Sequence, residues 1–301
     1  MVRFKKTTLG SFFGDFMYDQ VLSEGHFLVQ LGKVVDWDSF IPVLLPAYKG
    51  RAEKGESPYA PVMLLKMLLL AYLWAISERR VEELCNYYIP AKAFVGLGML
   101  DRAPDHSTLT VFKERLEKHG GAANYAKVFD KIVQQAMAAG VKLGTIQVVD
   151  AVHTIANVDN DKDRHRQEEG KPSVDPDATV VRKGKRTVTE PDGSTEQKEI
   201  MYLRYKTHVS MDAETGIVTS IKPSVGNTAD NVQMPDFLAH DEALGVPGET
   251  YAGDKAYDDG ELHALLRSKG KHSALRLHDY RTEKDDDNNE LWLKTLADPL
   301  Y

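Results

Sequence analysis

Apolar residues follow two different rhythms along this chain, and the change between them comes at Thr145. Before it the spacing is helical. Val62 to Ile76 is a fifteen-residue apolar run interrupted by Lys66, with Pro58 and Pro61 fixing its start. Spanning a bilayer takes roughly 18 to 20 such residues, so the run predicts a buried helix rather than a membrane segment. Ser77 has the character of an N-cap for a helix with Val81, Leu84 and Cys85 on one side, broken over 86–90. Pro104-Asp105-His106-Ser107 punctuates next, and a helix from about Ser107 lines up Leu109, Phe112 and Leu116. Tyr125, Val128, Phe129, Ile132, Val133 and Ala136 then form the clearest helical stripe, closed by Gly140 as a left-handed terminal residue. The pattern predicts an all-helical domain over 1–143. Short helices joined by tight turns suit a helix-turn-helix DNA module and a plain helical bundle about equally.

After Thr145 the pattern predicts an α/β domain over 144–301. Thr145-Ile146-Gln147-Val148-Val149-Asp150 is a β-branched run ending in a carboxylate, the look of a buried strand. From about 157 to 200 the chain turns polar, which predicts a charged loop or insertion over the surface. A hairpin follows, from Tyr202–Asp212 through Ala213-Glu214-Thr215-Gly216 to Ile217–Pro223. A helix over 229–239, a strand over 249–253 ending at Asp254, a helix over 258–268 and a strand over 273–277 complete the order. That order predicts a mixed sheet with helices on its faces.

Composition narrows the class without naming a function. A chain of 301 residues with 42% hydrophobic and 28% charged residues is ordinary for a globular protein. A collagen-like, wholly disordered or disulfide-stapled chain is excluded. The single cysteine, Cys85, reads as a buried structural thiol in a reducing compartment. Arg3, Lys5 and Lys6 precede Phe12, Phe13 and Phe16 without an apolar core or cleavage site, so no targeting segment is expected. The formal charge of −7, from 38 basic and 45 acidic residues, argues on its own against a nucleic-acid partner.

Candidate chemistry changes that picture. Asp150 and Asp254 each close a predicted buried strand, and carboxylates at the ends of neighbouring strands converge. Convergence is costly unless a cation neutralises it, and hard oxygen ligands suit Mg²⁺ or Mn²⁺. A pair of such ions about 3.5 to 4 Å apart supports phosphoryl transfer. Helix caps or turn formers are the plainer alternative. His153, three residues after Asp150, is a phosphate contact or a packed histidine. Asp159, Asp161 and Asp163 lack the glycine and glutamate of a calcium loop. Arg182, Lys183, Lys185 and Arg186 form a basic cluster suited either to gripping a DNA backbone or to solvation.

Several stretches share one likeness. They are Pro58-Tyr59-Ala60-Pro61 with the apolar run to Leu70, Pro104-Asp105-His106-Ser107-Thr108-Leu109, Val148-Val149-Asp150-Ala151, Asp175-Pro176-Asp177-Ala178, Tyr205-Lys206-Thr207-His208-Val209 and Ala252-Gly253-Asp254-Lys255-Ala256-Tyr257. In this order they resemble the DDE transposases of bacterial insertion sequences, in the insertion-sequence-five-like and insertion-sequence-four-like group. The likeness runs from about Phe12 to the end, with Ala256 where the family usually has glycine.

The resemblance implies an RNase H-like catalytic domain in which Asp150, Asp254 and a glutamate hold Mg²⁺ or Mn²⁺. It implies double-stranded DNA as partner, at the element's terminal inverted repeats and at the target. It also implies a homo-oligomer that joins two ends, in the bacterial cytoplasm, with Lys255 joining Arg182, Lys183, Lys185 and Arg186 as DNA contacts. The family's glutamate follows a tyrosine–arginine–glutamate–lysine pattern. Tyr280, Arg281 and Glu283 are too tightly spaced for it, and Glu290 fits no better, so that run reads as a solvated acidic loop. The chain ends at Asp298-Pro299-Leu300-Tyr301, where the glutamate helix is expected to begin. The catalytic domain is therefore expected to be incomplete at its C-terminus. A DNA-binding remnant without activity and a nuclease of the same fold are the alternatives.

Overall fold

The structure, a computed structural model, describes residues 4–9, 12–48, 57–189, 195–278, 283–284 and 290–291. It divides into two compact units, Met1–Val141 and Lys142–Tyr301.

Among the described residues the first unit is built of helices: α1 (Phe12–Val21), α2 (Phe27–Val34), α3 (Ile41–Leu44), α4 (Pro61–Leu73), α5 (Glu78–Tyr87), α6 (Ile89–Phe94), α7 (His106–Lys118) and α8 (Ala122–Ala138). α4 buries Met63, Leu64, Met67, Leu68 and Leu70 in a core shared with Phe40, Val81, Cys85, Leu109, Phe112 and Leu116. Its 13 residues make it a core helix, and no single described helix is long and apolar enough to cross a membrane. Ser77 caps α5 by accepting from the Arg80 N–H at 3.3 Å. The expected break over 86–90 is shorter than the sequence suggests. α5 runs to Tyr87 and α6 restarts at Ile89, with Pro90 in its first turn, where a missing N–H leaves no helical bond unmade. Of the stripe on α8 only Val133 is fully buried, while Tyr125 and Ile132 are exposed.

The second unit runs β1 (Ile146–Ile155), α9 (Asn160–Glu168), β2 (Thr179–Thr189), β3 (Thr195–Asp212), β4 (Val218–Val225), α10 (Met234–Leu244), β5 (Thr250–Gly253), α11 (Gly260–Ser268) and β6 (His272–Leu275). Two short antiparallel strands follow, β7 (Glu283–Lys284) and β8 (Glu290–Leu291). The main sheet has the order β2-β3-β1-β5-β6, with β4 also on β3. β1 is antiparallel to β3 and parallel to β5, and β5 is parallel to β6, so the sheet is mixed.

One face of the sheet is covered. Val149 and Tyr251 pack there with Met234, Phe237 and Leu238 of α10, Leu262 and Leu266 of α11, and Tyr257. Docking of α10 also uses a buried carboxylate. Asp241 accepts from Ser220 Oγ at 2.7 Å, Ser210 Oγ at 3.1 Å and Tyr251 OH at 3.2 Å, which satisfies it without a cation.

The polar stretch expected as a loop or insertion over 157–200 folds differently. It supplies α9, β2 and the first half of β3, and that half pairs with β2 as a two-stranded ribbon reaching beyond β1. Backbone pairing needs no apolar side chains, so composition gave no sign of it. The register shifts between Arg182 and Lys185, at Gly184, whose φ of 80° suits a bulge. Asp159 caps α9 through the Lys162 N–H at 3.2 Å, and buried Asp163 accepts from Val174 N–H at 2.7 Å, Ser173 Oγ at 2.8 Å and Gln167 Nε2 at 2.7 Å. These are structural carboxylates.

Candidate metal centre

The parallel register of β1 and β5 ends with Val148 opposite Ala252. Asp150 and Asp254 each lie two residues further on, at equivalent positions of neighbouring strands about 4.8 Å apart. Side chains alternate along a strand, so Val149, 1% exposed, enters the core while Asp150 points to the opposite, open face. Both aspartates are exposed.

Local hydrogen bonds aim each carboxylate. Asp150 Oδ1 accepts from the Ala151 N–H at 2.7 Å. Asp254 stands at the N-cap of a 3₁₀ turn over Lys255–Tyr257, where Oδ1 accepts from the Ala256 N–H at 2.9 Å and the main-chain carbonyl from the Tyr257 N–H at 3.1 Å. Asp254 is therefore a turn former as well as a candidate ligand, with Oδ2 left over. Among the described residues neither aspartate forms an ion pair. Two unneutralised carboxylates side by side are a hard-oxygen donor set that fits Mg²⁺ or Mn²⁺.

Behind the pair lies a support that sequence reasoning missed. Tyr257 is fully buried, and its ring packs against the strand that ends at Asp254. Gly253 makes this possible: a Cβ there would lie 3.1 Å from Tyr257 Cδ2, 3.0 Å from Val149 Cγ2 and 3.1 Å from Leu275 Cδ2. The Tyr257 hydroxyl is buried with no hydrogen-bond partner among the described residues. Burial above all, then the charges of Asp230, Asp150 and Asp254, hold the phenol well above its usual pKa, so it stays protonated and can only be a proton donor to an anion. Asp230 is itself neutralised by the Lys206 ammonium at 2.7 Å, and Lys206 also reaches the Thr228 carbonyl at 3.1 Å. His208, fully buried next to Asp230, lies 2.8 Å through Nε2 from Ser224 Oγ. Burial lowers its pKa despite the opposing pull of Asp230, which favours a neutral ring. No periodicity or motif spacing could have brought Asp230 to Tyr257, because loops place both.

The remaining candidates separate. His153 lies an odd number of residues from Asp150 on one continuous strand, opposite Lys206, and so faces away from the carboxylate pair. Arg182 and Lys185 are exposed on the ribbon, and Lys183 and Arg186 belong to the same strand. Lys255 is exposed in the turn beside Asp254. Tyr280 and Arg281 lie outside the described residues. Glu283 and Glu290 fall on β7 and β8, where Glu283 pairs with Leu291 and Lys284 with Glu290, so short strands stand where an acidic loop was expected. Cys85 is fully buried, and burial pushes its thiol up to about 12, which makes it inert.

A second grouping of ligand-type atoms occurs in the first unit, where Glu82, Asp105 and His106 bring theirs within 4.8 Å of one another. These atoms are already engaged. Glu82 Oε2 accepts from the His106 N–H at 3.0 Å and lies 2.8 Å from Nδ1, Asp105 caps α7 through the Ser107 N–H at 2.7 Å, and Arg79 lies 3.3 Å from His106 Nε2. This is a clasp that starts a helix.

Fold and site together define an α/β protein with a carboxylate pair at equivalent positions of adjacent parallel strands, Asp150 within β1 and Asp254 just past the end of β5, joined to a helical unit. Residues 16–115 match the family model described as a transposase domain (DUF772), and residues 168–297 match the one described as a transposase DDE domain. The chain therefore carries a transposase domain and, after it, a transposase DDE domain. Asp254 falls inside the second match and Asp150 precedes it. Among solved structures, the chain is similar to the piggyBac transposase synaptic complex with hairpin DNA at 10% identity, over 82% of this chain and 50% of that one, with a TM-score of 0.40. It is similar to the Mos1 mariner paired end complex with Mn at 12% identity, over 86% of this chain and 71% of that one, with a TM-score of 0.25. The chain thus spans half the length of the piggyBac chain.

Proposed function

We propose that this protein is the transposase of a bacterial insertion sequence of the insertion-sequence-five-like and insertion-sequence-four-like group. In this reading its second unit is an RNase H-like domain that cuts and rejoins DNA at the element's ends. The observation that carries it is the placement of Asp150 and Asp254 at equivalent positions of adjacent strands, on the open face and without an ion pair among the described residues. Asp150 and Asp254 would hold Mg²⁺ or Mn²⁺, which supplies Lewis acidity to the phosphodiester and lowers the pKa of an attacking water or 3′-hydroxyl.

The protein's own residues do the rest. The turn at Lys255–Tyr257 fixes Asp254, and the continuous register of β1 fixes Asp150. Arg182, Lys183, Lys185, Arg186 and Lys255 would contact the DNA backbone, and a two-stranded ribbon has the width to enter a major groove. Joining two ends of one element calls for at least two copies of the chain, acting in the bacterial cytoplasm.

The test is incubation of the protein with Mg²⁺ and duplex DNA bearing the element's terminal inverted repeat. Nicking and strand transfer are expected, and both are lost in Asp150→Asn and Asp254→Asn. DNA cleavage that persists in either variant overturns the assignment. Binding of the repeat without cleavage marks a DNA-binding protein only.

A further inference from the structure

The ribbon of β2 and β3 does not treat its two faces alike. β2 carries four basic residues and no acidic one. In a regular strand Arg182 and Lys185, an odd number of residues apart, fall on opposite faces. Here the register shifts between them: Arg182 stands opposite Met201, and Lys185 opposite Glu199, an even step along β3. The extra residue belongs to β2, at the bulge where Gly184 takes its φ of 80°. Arg182 and Lys185 therefore share one face. Thr187 and Gln197, directly opposed across the ribbon, fall on it too. All four are exposed. This face is continuous with the one that carries the carboxylate pair, because Val209 stands opposite Asp150, and Gln197, Glu199 and Met201 lie an even number of residues from Val209 along β3. At the ribbon's root Leu203 packs with Ala156 and Ala178, and β1 and β4 pair with β3 only from Arg204 onward.

We propose that this ribbon face reads base edges in the major groove of the element's end, with Arg182, Lys185 and Gln197 as specificity-determining residues. The proposal rests on the transposase reading above and narrows it. Arginine and lysine pair with guanine O6 and N7, and glutamine pairs through both halves of its amide with adenine N6 and N7. A phosphate has no donor to offer the amide carbonyl, so Gln197 gains its full pairing from a base alone. From Val209 to Met201 and on to Gln197 the strand rises roughly 27 to 40 Å, which places the bases read roughly 8 to 12 base pairs from the phosphodiester at the carboxylate pair.

The test compares binding of the full 301-residue chain to two duplexes at one salt concentration, by fluorescence anisotropy. One duplex bears the element's terminal inverted repeat and the other is a scrambled sequence of the same composition. The quantity read is the ratio of the two affinities, because losing a phosphate contact lowers both alike. Gln197→Ala is expected to weaken binding to the repeat about 5- to 100-fold and to leave scrambled DNA unchanged, which also shows that the variant is folded. Arg182→Ala and Lys185→Ala are expected to weaken both and to lower the ratio as well. Scrambling only the base pairs roughly 8 to 12 from the cut should weaken the unchanged chain more than it weakens Gln197→Ala, since the variant has already lost that contact. A ratio that stays intact in all three variants overturns the proposal, whether affinity is kept or falls equally on both duplexes; the equal fall marks phosphate contacts only. If the unchanged chain binds both duplexes alike, the transposase reading itself falls and takes this proposal with it.

Discussion

Asp150 and Asp254 are 104 residues apart in sequence and side by side in the sheet, each two positions past the last paired residues, Val148 and Ala252. The chemistry proposed for the second unit rests on that pairing. The sheet supplies the alignment, a 3₁₀ turn fixes one partner, and a glycine lets an aromatic ring close in behind.

The glycine is directly testable. A methyl group at position 253 would meet Val149, Leu275 and Tyr257 at 3.0 to 3.1 Å, all of them core side chains. Gly253→Ala is expected to destabilise the protein by about 1–3 kcal/mol through overpacking. A lowered urea midpoint with unchanged slope reports it. An unchanged midpoint would show that the ring behind Asp254 has room to move.

In the first unit the clasp between Glu82 and His106 starts α7. Glu82→Ala removes the acceptor of the His106 N–H and is expected to cost about 1–2 kcal/mol, the scale of a lost helix cap. A metal chelator should leave the melting of the unchanged chain's first unit as it was. Chelator-sensitive melting abolished by Glu82→Ala would instead make the clasp a metal site.

Lys66 gives a pH signature. Half-buried on α4, it lies over the rings of Trp37 at 4.7 Å and Phe94 at 5.0 Å, and desolvation lowers its pKa to about 8 from 10.5. Between those values the unfolded chain holds a proton that the folded chain does not, so the contribution of Lys66 to stability rises with pH from about 8 to 10.5. Below about 8 both states are protonated and the contribution is flat. Relative to Lys66→Met, the unchanged protein should therefore gain stability between pH 8 and pH 10 in matched urea titrations. A constant difference across that range would mean that Lys66 keeps its ordinary pKa.

Much of this was legible in the residues. The stripe Leu109, Phe112, Leu116 is buried, the cap at Ser77 forms, and β1 and β5 pair in parallel, although β1 does not close at Asp150 as expected but runs on to Ile155. Each is a local pattern with one physical outcome. The ribbon of β2 and β3 was not legible, because its pairing is between backbones and needs no apolar pattern. The partnership of Lys206 with Asp230, and the ring of Tyr257 behind the carboxylates, were hidden for another reason. They depend on where loops return the chain, which periodicity does not encode. His153 shows the opposite case: proximity in sequence suggested a shared site, and strand alternation turns it to the other face.

The central claim is that Asp150 and Asp254 bind one centre together. Mn²⁺ titration of the unchanged chain, Asp150→Asn, Asp254→Asn and the double variant tests it most directly. Shared ligation gives a strong loss in each single variant and little further loss in the double, because one missing ligand already removes the site. Mn²⁺ affinity that survives either single substitution, or losses that simply add, would contradict it.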